Sequence, residues 1–558
     1  LTPFVILLLW LLMVREDELI KILKNIAKLL ELKGENPFKA RAYLNAADII
    51  KNNNINIEDA VNNGTLAEIK GFGEALQKKI TEFVQTGKMS YYEKLKDEVP
   101  DGLFQITQIA NIGPAKARKL YYDYNITSLE QLEKACEDDI LKNIKGFGPK
   151  LQELILVSIQ HKKASKGRYL QEKAAREAEL LLNEIKKIGG VEWVEITGDY
   201  RRFSETLKNI HFIISTDEKT TQEKINTLLE NYNSEIPVIL EFTNSNTFIW
   251  NLHKTSSSEN FNREFEKFAF SKGLSLKNDS IYLNNEKIFL NNEEELYKIL
   301  SLQYIPPELR EDASAIDISK EFRIPELIKD EDLKGVVHVH TNWSDGKNTI
   351  LEMSNKAKEL GFRYIVITDH SRSAAYAGGL SIESVNQQHS EIDKLNDQIN
   401  DFKIFKGIES DILTDGSLDY PEDVLKSFDV VIASVHSSFN MSKSEMTKRI
   451  IYAIMSPFTH ILGHPTGRLL LARPPYEVDI KDVIQAVADY GKVIEINCNP
   501  YRLDLSWDNV IYAKEKGVKI SINPDSHNSG TISDIFIGVK VARKGWLESK
   551  DVINCLDY

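Results

Sequence analysis

The sequence predicts a multidomain protein that starts in an all-helical region and ends in a (β/α) barrel. Three observations carry this. Six short motifs toward the C-terminus place histidines or carboxylates at the ends of β-branched strands. Three glycine-rich turns interrupt a helical stretch near the N-terminus. The length of 558 residues has room for about four domains.

The C-terminal motifs are His338-Val-His340-Thr-Asn-Trp-Ser-Asp345, Thr368-Asp369-His370, Gly407-Ile-Glu409, Ser434-Val-His436, Gly463-His464-Pro465 and Pro524-Asp525-Ser-His527. Each follows a short apolar run such as Tyr364-Ile-Val-Ile or Asp429-Val-Val-Ile-Ala-Ser, which reads as a strand. Helical patterns, for example Leu351 to Leu360 and Asp482 to Tyr490, separate them. Repeated strand–helix units with polar residues at strand ends describe a (β/α) barrel with its site on one face. A lone histidine usually packs in a core or faces solvent. Six in one pattern point to a site.

The candidate ligands are His338, His340, Asp345, His370, Glu409, His436, His464, Asp525 and His527. Imidazole with carboxylate suits Zn, Mn or Fe. One zinc ion takes about four ligands, so this set predicts two or three ions. Such clusters activate water for phosphate-ester cleavage. Residues 333–558 resemble the PHP (polymerase and histidinol phosphatase) family of metal-dependent phosphoesterases. The resemblance implies a distorted seven-stranded barrel of the (β/α)7 type with a trinuclear centre, usually Mn or Zn. It makes the nine ligands the catalytic set. Arg372 and Arg468, beside the ligand loops, are candidate phosphate contacts.

The apolar fraction of 42% and charged fraction of 27% are those of a globular protein. Cys136, Cys498 and Cys555 are far apart, which excludes a disulfide framework and fits a reducing cytosol. Cys498 is expected to pack near a strand end rather than act as a nucleophile. A net charge of -13 excludes a generally basic nucleic-acid coat but not local phosphate sites. The apolar run Phe4 to Val14 is too short to span a bilayer and lacks signal-peptide flanks. Residues 1–12 are read as an upstream extension from a misassigned start, ahead of a helix from Glu16 to Leu32. No membrane partner is expected.

Residues 13–165 repeat one short pattern: Ile69-Lys-Gly71-Phe-Gly73, Ala110-Asn-Ile-Gly113-Pro and Ile144-Lys-Gly146-Phe-Gly148-Pro-Lys150. Each opens a helix that carries Lys or Arg. Glycine lets backbone approach a phosphate closely, and the following helix N-terminus holds the anion. A single such turn is ordinary. Three of them resemble helix-hairpin-helix motifs, which grip DNA backbone without reading sequence.

Three further stretches set the wider context: Gly34-Glu-Asn-Pro-Phe-Lys-Ala-Arg-Ala-Tyr, Gly198-Asp-Tyr-Arg201-Arg202-Phe-Ser-Glu-Thr-Leu-Lys-Asn209-Ile-His211 and Tyr304-Ile-Pro-Pro-Glu-Leu-Arg. They resemble the bacterial family X DNA polymerases, which join a polymerase-beta-like core to a C-terminal PHP domain. The resemblance implies a lyase-like helical domain (13–95), helix-hairpin-helix fingers (96–165), an α+β palm (166–250) and thumb (251–315), a linker (316–332) and the PHP barrel (333–558). It implies DNA contacts at Gly71, Gly73, Gly113, Gly146, Gly148, Lys150, Arg201 and Arg202. It also places a Schiff-base lysine at Lys79, although a solvated helix lysine beside DNA is the more economical reading.

The departures from that pattern matter. The family palm carries Gly-Ser and Asp-x-Asp, whose carboxylates hold two Mg ions. Here Asp199 stands at the serine, and Asn209 and His211 stand at the aspartates. Glu241 matches the third carboxylate, and Ser256-Ser257-Ser258 replaces the thumb's Thr-Gly-Ser. Asn and His are poor Mg ligands, so the polymerase site is expected to be dead or severely impaired, with Mg binding there compromised. The function expected is a cytoplasmic DNA-repair protein acting on gapped, nicked or 3′-end DNA. Its PHP domain would be a metal-dependent 3′-5′ exonuclease, with abasic-site endonuclease or 3′-phosphatase activity as variants. The alternatives are an active gap-filling polymerase with a PHP exonuclease, or a small-molecule phosphatase of the histidinol-phosphate type.

Overall fold

The computed structural model describes residues 3–52, 57–109, 111–232, 234–277 and 279–557, with side chains from residue 18 onward except 51 and 52. Ala110, the first residue of the second hairpin motif, lies outside this set, as do the side chains of residues 1–12. The chain divides into two compact units, Leu1–Lys166 and Gly167–Tyr558.

The first unit is helical. A long helix, Pro3–Lys33, packs against Pro37–Asn52. Leu23, Ile26, Leu30, Ala46, Ala47, Ile80 and Phe83 are buried in a single core that runs from Leu19 to Ile159. Among the described residues no helix is long and apolar enough to cross a membrane. The glycine turns precede the helices Glu74–Thr86, Pro114–Arg118 and Pro149–Ser165. Their apolar partners Phe72, Ile112 and Phe147 are buried, which pins each turn to the core and leaves the glycine backbone outside.

In the second unit, after the helix Gln171–Lys186, comes a three-stranded sheet in the segment expected as the palm, β1 (Trp193–Thr197), β2 (Ile210–Ser215) and β3 (Val238–Thr243), in the order β1-β2-β3. β1 runs antiparallel to β2, and β2 parallel to β3. An antiparallel three-stranded sheet follows: β4 (Leu274–Lys277), β5 (Ser280–Leu283) and β6 (Glu286–Ile288).

Seven parallel strands complete the unit: β7 (Gly335–Val339), β8 (Tyr364–Ile367), β9 (Lys403–Asp411), β10 (Val430–Ser434), β11 (Ile461–Leu462), β12 (Val493–Asn497) and β13 (Lys519–Asn523). They pair in sequence order. A parallel bridge between Val339 and Ser526 brings the first and last strands together, so the barrel is nearly closed. β7 and β8 are buried at every position, as strands covered on both faces must be. Capping boxes start the outer helices Ile350–Glu359 (Thr349 with Glu352) and Lys443–Met455 (Ser442 with Glu445).

The segment expected as a linker, 316–332, is packed rather than free. Ile316, Ile324 and Leu327 are buried in the core around β4 and β5, while Ile328 belongs to the barrel core. Its apolar residues divide between these two cores. The palm also enters the barrel: Phe203, from the turn between β1 and β2, is buried in the barrel core.

Candidate metal centre

All nine candidate ligands meet at the C-terminal end of the barrel strands. His338 lies within β7 and Glu409 within β9, and the others sit in the loops that follow the strands. Glu409 is the hub. Its carboxylate lies 3.3 Å from His338 Nε2, 3.7 Å from His340 Nε2, 2.9 Å from His370 Nδ1, 3.1 Å from His436 Nε2 and 2.9 Å from His464 Nε2. Asp525 Oδ1 lies 3.2 Å from His340 Nε2 and 3.6 Å from His338 Nε2. Asp345 Oδ1 reaches His527 Nε2 at 3.3 Å and His370 Nε2 at 3.7 Å. Three groups emerge with ligand atoms close enough to share an ion: His340, Asp345, His370 and His527; His338, His340 and Asp525; and His370, Glu409 and His436.

The donor set fits divalent metal. His338 Nε2, both ring nitrogens of His340, His370 Nδ1, Glu409 Oε2 and His464 Nδ1 are buried and have no hydrogen-bond partner. Buried polar atoms are normally paired. Here lone pairs converge at short range without hydrogen-bond alignment, an arrangement a cation satisfies. Burial, then His527 and His370, push the His340 pKa down to about 3, so it stays a neutral ligand at physiological pH. Burial alone would raise the Glu409 carboxyl, but His436, His338 and His370 hold it well below the usual range. His338, His464 and Asp525 have φ of 66°, 23° and 51°. Left-handed backbone at non-glycine residues is strain of the kind that clusters at functional sites.

A ring of supporting residues orients the ligands. Glu495 Oε1 accepts from His338 Nδ1 at 2.5 Å and from Asn523 at 2.8 Å, while Glu495 Oε2 accepts from the His464 backbone N–H at 2.5 Å. Asp411 holds His436 Nδ1 at 2.6 Å, and Asn497 donates to Asp525 Oδ2 at 3.0 Å. Asp369 accepts from Thr341, Ser344 and Gln388, which fixes the loop carrying Asp345. Such partners set tautomer and ring angle. Sequence reading missed all four. Their signal was a polar residue inside or at the end of an otherwise apolar strand, as in Glu495-Ile-Asn497.

Cys498 is fully buried and packs against Gly538. Burial pushes its thiol well above the usual range, which leaves it no nucleophilic role. The two arginines singled out from sequence differ. Arg372 is half exposed and donates to Asp419 at 3.3 Å. Arg468 is turned inward, toward Glu205 at 2.6 Å and the Arg502 carbonyl at 3.0 Å, so it is not placed to meet phosphate. The exposed Tyr376 ring stands 6.2 Å from His370 at the mouth.

The palm residues are arranged otherwise. Asn209 is half-buried ahead of β2. His211 on β2 lies 3.5 Å from Glu241 on β3, and burial lowers its pKa against the pull of Glu241. Asp199 pairs with Arg202. Arg201 and Arg202, expected to contact DNA, are taken up internally. Arg201 donates to Ser256 at 3.0 Å and Glu293 at 2.6 Å, and Arg202 also meets Glu311 at 3.3 Å. Buried carboxylates, chiefly Glu293, claim guanidiniums that the motif alone leaves free. Ser256 bonds Thr197, Ser257 bonds the His253 carbonyl, and Ser258 caps the helix Glu259–Ser271.

In the first unit, Gly71 and Gly146 have φ of 103° and 97°, which only glycine adopts readily. Gly73, Gly113 and Gly148 stand at helix N-caps without a side-chain cap, leaving backbone N–H groups open to an anion. Lys150 sits in the first turn of the third helix. Lys79 donates to the Ala75 carbonyl at 3.0 Å and lies 4.6 Å over the Tyr91 ring. Burial, then Lys39, lowers its pKa.

Comparison with known proteins finds four matching regions. Residues 15–89 match a helix-hairpin-helix domain, 105–161 a SAM-like helix-hairpin-helix tandem, 251–311 the DNA polymerase beta thumb and 337–499 the PHP domain. Probable phosphatases of Thermoanaerobacter sp. and Caldanaerobacter subterraneus are 33% and 34% identical over 39% and 34% of this chain, covering 88% and 74% of their own lengths. The DNA polymerase/3′-5′ exonuclease PolX of Bacillus subtilis is 33% identical over 97% of both chains. Similarity at that level, carried from the hairpins to the barrel without a break, means that the chain belongs to the bacterial PolX family, with a PHP phosphoesterase domain and DNA-binding helix-hairpin-helix modules.

Proposed function

We propose that this chain is a DNA-repair hydrolase that trims 3′ ends at the barrel mouth and uses its polymerase-like region to bind DNA rather than to extend it. One observation carries the reading: six buried donor atoms at the mouth have no hydrogen-bond partner, while the side chains at the palm position are largely satisfied from within the protein. His340, Asp345, His370 and His527 would hold one divalent ion, and His338 with Asp525 a second that shares His340. Glu409 with His436, His464 and His370 would hold a third. Mn, Zn or Fe there would lower the pKa of water and stabilise charge building on the phosphate.

The chain's own residues supply the frame. Glu495 and Asp411 keep the far nitrogens of His338 and His436 occupied, so the near nitrogens face the site. Glu409 and Asp525, held ionised by the surrounding imidazoles against the opposing effect of burial, keep the site anionic and thus selective for cations. The hairpin turns would hold DNA through backbone phosphates, with little sequence preference. The phosphatase relatives of the barrel favour 3′-phosphatase activity beside exonuclease activity. We assign no Schiff-base chemistry to Lys79, whose ammonium already bonds the Ala75 carbonyl.

The test uses one Mn-loaded preparation in two assays: release of nucleotides from a labelled 3′ end, and nucleotide incorporation on a gapped template. Trimming without extension is expected. Incorporation by a nuclease-dead variant at a rate typical of polymerases, of order 1–10³ per second, would overturn the palm half of the reading.

A further inference from the structure

The mouth is ringed by guanidiniums, and most are committed. Arg372 holds Asp419, Arg449 the Leu413 and Ser437 carbonyls, Arg473 the Gly467 carbonyl, and Arg468 the Arg502 and Leu503 carbonyls. Arg502 differs. Its Nε lies 4.0 Å from Asp525 Oδ2, its side chain is 20% exposed, and its guanidinium donates no hydrogen bond to another described residue. A guanidinium presents five donors in a planar fork suited to phosphate oxygens. Left without acceptors next to a candidate ligand, this one is aimed at something the protein does not itself supply.

The backbone that carries Arg502 is held tightly. Its N–H bonds the Asn499 carbonyl at 2.7 Å, and Asn499 N–H bonds Asn497, the residue that also holds Asp525. Asp504 accepts from the Thr466 N–H at 3.0 Å. The Arg502 carbonyl receives Arg468 Nε at 3.0 Å, and the same guanidinium reaches Glu205 at 2.6 Å. Glu205 ends the palm turn whose Phe203 is buried in the barrel core. A retained polymerase element thus lies one arginine away from the hydrolytic mouth.

We propose that Arg502 binds the substrate phosphate at the barrel mouth, and that Glu205 of the palm is a positioning residue that sets Arg502 through Arg468. The proposal rests on the hydrolase reading above and names the group that recognises its substrate. The experiment uses the full-length, Mn-loaded protein. Binding of thymidine 5′-monophosphate is measured by calorimetry, and hydrolysis of a single-stranded oligonucleotide is measured alongside.

Arg502→Ala is expected to weaken nucleotide binding and raise KM by about tenfold or more, the scale of a lost charge-assisted contact, with bound Mn per chain unchanged. Arg502→Lys recovers part of the affinity. Glu205→Ala gives a smaller loss in the same direction, and Glu205→Gln, which can still accept from Arg468, restores most of it. The double variant Arg502→Ala/Glu205→Ala binds no worse than Arg502→Ala alone, because one residue acts through the other. Nucleotide affinity within twofold of wild type in Arg502→Ala sinks the phosphate role, as does absence of nucleotide binding by wild type. Fully additive effects sink the link to Glu205. If wild type binds the nucleotide but cleaves no DNA, the hydrolase reading fails while the affinity series still judges Arg502.

Discussion

The polymerase-like region and the barrel both collect titratable side chains around their sheets, yet they treat them in opposite ways. In the polymerase-like region, Arg201, Arg202 and Ser256 to Ser258 each have a partner within the protein, and the buried atoms left without a hydrogen bond, Gln171 Oε1, His211 Nε2 and Arg310 Nη2, are scattered rather than gathered at one point. In the barrel, six atoms of five candidate ligands are buried and unbonded around one point, and three of the candidate ligands carry left-handed backbone. A protein tolerates that many unpaired buried groups where a ligand completes them. Polar satisfaction thus separates a site that awaits a ligand from one whose side chains already pair with each other, where residue type alone is ambiguous.

The largest expected effect contrasts the two sites directly. His340→Ala with Asp525→Ala should lower 3′-end hydrolysis by about a thousandfold or more, the scale of losing metal-ion stabilisation, and should reduce bound Mn per chain. His211→Ala should leave hydrolysis within a few-fold. Full activity in the barrel double variant removes the metal assignment, and an equal loss in the palm variant erases the contrast.

Next comes the buried ion pair of the thumb. Glu293 is buried against Arg310, with Oε1 to NH1 at 2.5 Å. Burial would raise its pKa, but Arg310 and Arg201 hold it at about 2 against an ordinary 4.5. Its folded-state pKa is depressed, so its stabilisation is full above about pH 4.5 and fades as pH falls toward 2. Glu293→Gln leaves Arg310 buried and uncompensated, and should destabilise the protein by about 3–5 kcal/mol at pH 7, with the gap to wild type narrowing through that acid window. Denaturant midpoints across pH measure both. A gap that does not narrow contradicts the pair's role.

The smallest effect concerns the first unit. Removing residues 13–165 should weaken DNA affinity by about tenfold and flatten its salt dependence, while hydrolysis of a small phosphodiester is retained. Unchanged DNA affinity would remove the hairpins from the binding surface.

Much of the barrel was readable because its ligands come as short motifs at strand ends, and a period-free apolar run followed by His or Asp has few other meanings. Glu495, Asp411 and Asn497 escaped notice because a single polar residue in a strand carries no spacing to count. Arg502 escaped for a related reason. Its neighbour in argument, Arg468, has the same chemistry and a similar loop position, and only the fold decides which guanidinium finds a carboxylate. Arg201 and Arg202 show the converse: a basic pair in a DNA-family motif reads as DNA contact until Glu293, Asp199 and Glu311 are placed next to it. The segment 316–332 looked like a connector because its apolar residues serve two different cores and so show no single period.

Phe203 carries a consequence for how such a chain can change over generations. Its ring leaves the palm turn and is 6% exposed within the barrel core, with Lys540 5.6 Å above it. Discarding the palm itself would open an apolar socket in the domain that remains, at a cost comparable to truncating any large core aromatic, about 3–5 kcal/mol. The structure therefore ties the two halves together: whatever chemistry the polymerase-like half performs, the barrel's need for this plug keeps that half in the gene.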